Sequence, residues 1–141
     1  MNTFLRTLLS IAAVAAIGTT IGVAQQPRNG LTATIPFDFN VGRTTLPAGE
    51  YTISTDLTSG ALQVQDAQHR AKVVVVTMTA DKPSSPDQSQ LAFRVYGGRH
   101  YLASMWNGTM GVGRSLMKTP AEREAEIAGV HPTTAVLIAR K

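Results

Sequence analysis

Cysteine is absent from the 141 residues, which removes several chemistries at once. There can be no thiolate nucleophile, no cysteine-ligated metal and no thiol redox couple. Small exported domains often brace thin cores with disulfides, so this chain must rely on apolar packing alone. Charge is scarce too, with 13 Lys and Arg against 9 Asp and Glu. That mild positive balance leans toward anionic partners but falls far short of the basic stripe of a nucleic-acid-binding domain. No Gly-x-Ser-x-Gly nucleophile elbow occurs. Gly108, Gly111 and Gly113 precede a strand pattern rather than a helix, so they read as turn and close-packing glycines, not a phosphate cradle. No internal repeat is present.

What is there begins with an address. Met1 to Arg6 form a short positive segment, and Leu8 to Ile17 an apolar run of signal-peptide length. Gly22 and Ala24 satisfy the small-x-small rule and set cleavage between Ala24 and Gln25. The alternative is an uncleaved anchor. The apolar stretch just reaches the ~20 residues a spanning helix needs, but two threonines and two glycines dilute it. The expectation is a signal peptide over 1–24, no stable membrane span after cleavage, no lipid-modified N-terminus, and a periplasmic or extracellular domain over 25–141. Those 117 residues, with a net charge of about +3, suffice for one domain with a core.

The remainder alternates with the period of strands. Leu31, Ala33, Ile35, Phe37, Phe39 and Val41 interleave with Thr32, Thr34, Pro36, Asp38 and Asn40, one face apolar and one wet. Pro36 lacks a ladder donor, so this strand is expected at an edge or bulged. Leu46-Pro47-Ala48-Gly49 suits a type I turn before the strand at Tyr51. Lys72 to Thr79 contains four consecutive valines, read as a central strand covered on both faces. Ala80 to Gln90 is a polar Pro/Ser-rich loop and the candidate mobile segment.

Gly97-Gly98 predicts a two-residue hairpin turn. It sets Tyr96 opposite Arg99, Val95 opposite His100, Arg94 opposite Tyr101 and Phe93 opposite Leu102. One face then carries Leu91, Phe93, Val95, Leu102 and Trp106 as core. Asn107-Gly108, read as a second two-residue turn, would bring Arg114 opposite Tyr101. Thr119-Pro120-Ala121-Glu122 opens one helix with a cap, an N1 proline and a capping-box glutamate, ended by Gly129. A last strand spans 134–139. The fold class is all-β: an antiparallel sandwich or barrel of about eight strands with one short C-terminal helix.

Ile35-Pro36-Phe37-Asp38-Phe39-Asn40-Val41 followed by Leu46-Pro47-Ala48-Gly49-Glu50-Tyr51 resembles the signature of a family of small exported bacterial proteins, (I/V)-P-F-x-F-x-V…L-P-A-G-x-Y. The segments 92–101 and 120–124 resemble that family's C-terminal half. The resemblance implies export and an all-β fold. The family has no established activity, so it supplies no catalytic residue.

Candidate chemistry is sparse. His69, His100 and His131 share no metal-ligand spacing, and neither a metal nor a cofactor is expected. A hydrolase would need two or three of His69, His100, His131, Asp38 and Glu50 to meet in a cleft. Acidic residues at 122, 124 and 126 suit a helix N-terminal half. The distinctive constellation is Arg94, Tyr96, Arg99 and Tyr101 on the outer face of the 91–106 hairpin, with Arg114 as a neighbour and Met105 on the same face. Flat π-surfaces beside fixed positive charge suit acidic sugars or an acidic protein patch. The expected function is therefore a non-enzymatic binding module for an anionic envelope glycan or another envelope protein. The alternative is an assembly component that pairs through the edge strand at 31–41.

Overall fold

The structure, a computed structural model, describes residues 30–140. The export signal expected over 1–24 lies outside them. The described chain is all-β with one short helix, in eleven strands rather than eight.

The long alternating segment at 31–41 is two strands. β1 (Leu31–Ile35) ends where Pro36 interrupts the ladder, and β2 (Phe39–Val41) resumes in the other sheet. The alternation survives the crossing: Leu31, Ala33, Ile35, Phe39 and Val41 are all buried. β3 (Thr44–Leu46) pairs back on β2, and the chain returns through Pro47-Ala48 into β4 (Gly49–Thr55), β5 (Ala61–Asp66) and β6 (Ala71–Val76). These form a four-stranded antiparallel sheet in the order β1-β4-β5-β6. The valine run in β6 is thus an edge strand, not a central one. Val74 and Val76 are 59% and 74% exposed, while Val73 and Val75 pack on the core. Four valines suit burial on both faces, but β6 has a neighbour on one side only, and its outer face is bare.

The second sheet contains β7 (Met78–Thr79), β8 (Gln90–Tyr96), β9 (Arg99–Asn107), β10 (Val112–Ser115) and β11 (Thr133–Ile138), in the order β11-β8-β9-β10-β7. β2 joins β9 in the one parallel pairing among the described residues, Phe39 beside His100 and Asn40 beside Tyr101. The Gly97-Gly98 turn, with φ of 54° and 85°, sets the expected register from Tyr96–Arg99 to Phe93–Leu102. Residues with a Cβ adopt that left-handed region at a cost.

Beyond Phe93 the register shifts. Ala92 pairs with Ser104 and Phe93 with Leu102, leaving Ala103 as the extra residue of a bulge. A bulge reverses the facing of everything after it. Met105 therefore enters the core, and Trp106 turns to the outer face, opposite to expectation. Trp106 is nonetheless buried there, because the 80–89 loop closes over it: indole Nε1 donates to the Pro86 carbonyl at 2.7 Å. The loop read as mobile is pinned on that side, and Ser89 Oγ accepts from Gly108 N at 3.0 Å. Gly113 lies flat beneath the indole, where a Cβ would stand 2.5 Å from the ring.

Side chains from both sheets fill the core, among them Leu31, Ile53, Leu62 and Val64 from one and Phe39, Leu91, Phe93 and Leu102 from the other. Each such fully buried side chain stabilises the fold by roughly 1.5–3 kcal/mol. One seam between the sheets is stitched by reciprocal backbone bonds between Thr32 and Arg140, at 2.7 and 2.8 Å. At the other, the chain runs from β6 to β7 through Thr77, whose N–H and Oγ1 both donate to the Gly60 carbonyl, at 2.9 and 2.6 Å.

Candidate binding site

The residues of the family-like signature build one corner. Phe39 meets Tyr51 and Phe93 edge-on at 5.2 and 5.8 Å. Phe37 lies flat on His100 at 3.7 Å and edge-on to Phe93 at 5.1 Å. Asp38 Oδ1 accepts from Ala48 N at 3.0 Å, and Tyr51 OH donates to the Pro47 carbonyl at 2.7 Å. Burial, and then the charges of Asp66 and Asp38, push the Tyr51 phenol up. Phe37, Asp38, Phe39 and Tyr51 of the signature thus help hold the β2–β3 hairpin and the turn before β4 against β9.

The outer face of the β8–β9 hairpin is not open. α1 (Pro120–Ile127) lies across it, with both arms of the capping box between Thr119 and Glu122 formed. Glu122, read from sequence as a cap and dipole partner, is 1% exposed and does more. Its Oε1 accepts from Arg94 Nε at 2.6 Å while its Oε2 accepts from Thr119 N at 2.6 Å. One carboxylate therefore starts the helix and clamps it to the sheet. Tyr96 OH donates to Glu126 Oε1 at 2.8 Å, and Lys118 Nζ reaches the same oxygen at 2.7 Å. Burial first, then that bond, pushes the Tyr96 phenol up to about 12. The bonds from Lys118 and then Tyr96 hold the Glu126 carboxyl below its usual range. Arg94 and Tyr96 are fully engaged by the helix.

Arg114 does not join the group. The turn after Asn107 has four residues, 108–111, so Val112 pairs with Asn107 and Arg114 with Met105. The Ala103 bulge has turned Met105 inward, and Arg114 follows it to the inner face. Its Nη2 lies 2.9 Å from where a Cβ on Gly60 would stand, and its charge adds a minor share to the lowering of the Asp56 carboxyl, which bonds from Ser59 and Thr58 dominate.

Arg99 remains exposed, whereas Tyr101 is 8% exposed and touches the surface only at its margin. Tyr101 packs edge-on against Tyr96 at 5.8 Å and borders two shallow clefts. One, of about 280 Å³, is lined by Asp38, Asn40, Thr45, Arg99, His100 and Tyr101. The other, of about 360 Å³, includes Asn40, Arg43, Tyr101, Thr119 and Glu124. They adjoin at Asn40 and Tyr101, which stand side by side on β2 and β9. Asn40 is fixed from both ends: its Nδ2 donates to the His100 carbonyl at 3.0 Å, and its Oδ1 accepts from Thr45 Oγ1 at 2.6 Å. Arg43 and Arg99 are exposed at opposite ends, and neither forms an ion pair among the described residues.

No protein-family model, curated protein or solved structure matches this chain. Two of the five residues considered for hydrolysis, Asp38 and His100, line the same cleft. Asp38 is tied to Ala48 N, His100 lies flat on Phe37, and the one lining hydroxyl other than tyrosine, Thr45, donates to Asn40. Glu50 lines a separate hollow with Thr34 and Arg140. His69 sits at φ 59° in the 66–70 turn. Among the described residues no three His, Asp or Glu gather as metal ligands.

Sequence reading missed Asn40, Arg43, Thr45 and Glu124. Asn40 falls on the wet side of an alternating strand, but its partner across the groove is set by the parallel β2–β9 pairing, 60 residues away in the chain.

Proposed function

We propose that this is an exported, non-enzymatic β-domain that binds an anionic glycan of the cell envelope in the groove joining the two clefts at Asn40 and Tyr101. Export rests on the apolar segment and small-residue pattern within 1–24. The observation that carries the binding reading is the pair of exposed guanidinium groups without an ion-pair partner among the described residues, Arg99 in one cleft and Arg43 in the other, with a rigid polar middle between them. An amide held by two hydrogen bonds suits the hydroxyls of a sugar, and arginine forks suit its carboxylates. The pre-set orientation of Asn40 reduces the ordering cost of binding. Asp38 and Glu124 at the rim can accept sugar hydroxyls and disfavour densely charged ligands.

Thermal unfolding of the purified protein with acidic and neutral oligosaccharides tests this. At 100 times its dissociation constant a ligand stabilises the fold by ~2.7 kcal/mol, a shift a melting curve resolves. A shift with an oligogalacturonate, absent with a neutral galactose oligomer and lost in the Arg43→Ala, Arg99→Ala double variant, is expected. Equal shifts with both sugars, or none with either, would contradict the proposal.

A further inference from the structure

β6 has one hydrogen-bonded neighbour, β5, and no backbone partner along its other edge among the described residues. Exposed strand edges are templates for another strand, and proteins blunt them with charge, proline, bulges or a covering element. The outer half of β6, Val73 to Val76, carries neither charge nor proline. Its one bulge, at Val64/Gln65 opposite Ala71, lies at the far end. The cations at that end are already neutralised: Arg70 Nε and Lys72 Nζ both reach Asp66 Oδ2, at 2.8 and 3.3 Å. The opposite edge of the same sheet, β1, is stitched to Arg140. Val74 and Val76 are exposed on the outer side of this strand, and Met78, also exposed, follows on β7.

We infer that β6 pairs antiparallel with β6 of a second copy about a two-fold axis at Val74, joining two four-stranded sheets into one of eight strands. A second copy suits the edge better than an unrelated peptide because the strand is its own complement. Under that axis Val73 faces Val75 and Lys72 faces Val76, so no like charges oppose one another. The half-buried faces of Val73 and Val75, which already pack on the core, become continuous across the axis, as an isologous interface requires. The groove's polar residues lie on or beside the other sheet; the one groove residue that nears β6 is Gly42, whose Cβ position is 3.3 Å from Val75 Cγ1, on the face of β6 opposite to Val74.

Sedimentation equilibrium of the purified protein over a micromolar-to-millimolar series, with amide hydrogen exchange at each concentration, tests the inference. A monomer–dimer equilibrium is expected, with exchange of the 71–76 amides slowing as dimer accumulates. Val74→Lys places two lysines on the axis and should weaken the dimer at least tenfold. Val136→Lys removes an equally exposed valine on β11 (51% against 59%) and should leave it intact. A strict monomer throughout the series would overturn the inference. So would a dimer weakened equally by both variants, or one whose protection falls outside β6. Because glycan binding should survive Val74→Lys, failure of the dimer and failure of the groove proposal are distinguishable.

Discussion

Replacing Glu122 with glutamine changes one atom and separates two roles of the side chain. Glutamine keeps the capping box, since its amide oxygen can still accept from Thr119 N. It removes the negative charge that faces Arg94 at 2.6 Å, where the two side chains are 1% and 18% exposed. A hydrogen bond to a charged group contributes about 1.5–3 kcal/mol, and breaking a buried pair outright costs about 3–5 kcal/mol. Arg94 retains some solvent and a long contact to the Leu116 carbonyl at 3.4 Å, which favours the lower range. We expect Glu122→Gln to destabilise by about 2–3 kcal/mol, which lowers the melting temperature of a domain of this size by roughly 8–20 °C. Arg94→Met should cost a similar amount, because it strands the carboxylate. The double variant should cost much less than the sum, with a coupling energy of at least ~1.5 kcal/mol from the cycle. Urea unfolding of all four proteins with shared m-values measures it. Strictly additive losses, or a Glu122→Gln variant within about 0.5 kcal/mol of the parent, would refute the clamp between helix and sheet.

Burial raises the Asp66 carboxyl, but bonds from the Arg70 backbone and side chain and from Lys72 outweigh it and hold it at about 2. The unfolded value is ~3.9, so this stabilisation is full above that pH and disappears as pH falls from there through about 2. Melting temperature should thus drop less steeply between pH 5 and 2 in Asp66→Asn than in the parent; parallel profiles would exclude the linkage. Tyr51→Phe removes the bond to the Pro47 carbonyl and should cost about 0.5–1.5 kcal/mol in urea unfolding, and no loss would mean the corner holds without it. Gly113→Ala drives a methyl into the Trp106 ring, and should destabilise by about 1–3 kcal/mol with a red-shifted tryptophan emission. Unchanged emission and stability would show that the indole moves aside freely.

What could be read from the chain follows interaction range. The Gly97-Gly98 turn sets the register of its hairpin within a few residues, and Thr119, Pro120 and Glu122 start α1 from adjacent positions. Local chemistry decided those features, so they were legible. The Ala103 bulge has no residue signature, yet it inverts Met105, Trp106 and Arg114 together. Pro36 marked an edge or bulged strand, and β1 is an edge, but the change of sheet after it depends on strands met later. The valines of β6 suit any covered strand, and their edge position is a property of sheet order alone. For the site, the hairpin register put Arg94, Tyr96, Arg99 and Tyr101 on one face. Whether that face is wet depended on two glutamates, Glu122 and Glu126, some 30 residues away. Arg99 stays exposed, and the start of α1, through Thr119, Pro120 and Glu124, forms one wall of the cleft that Tyr101 borders.

The groove itself is tested most directly by a heteronuclear NMR titration of the purified protein with a galacturonic acid tetramer. The account predicts saturable shifts clustered at 38–45, 98–101 and 119–124, weakened by added salt as screened arginine–carboxylate contacts require. Shifts confined to another surface, or none in the millimolar range, would contradict it.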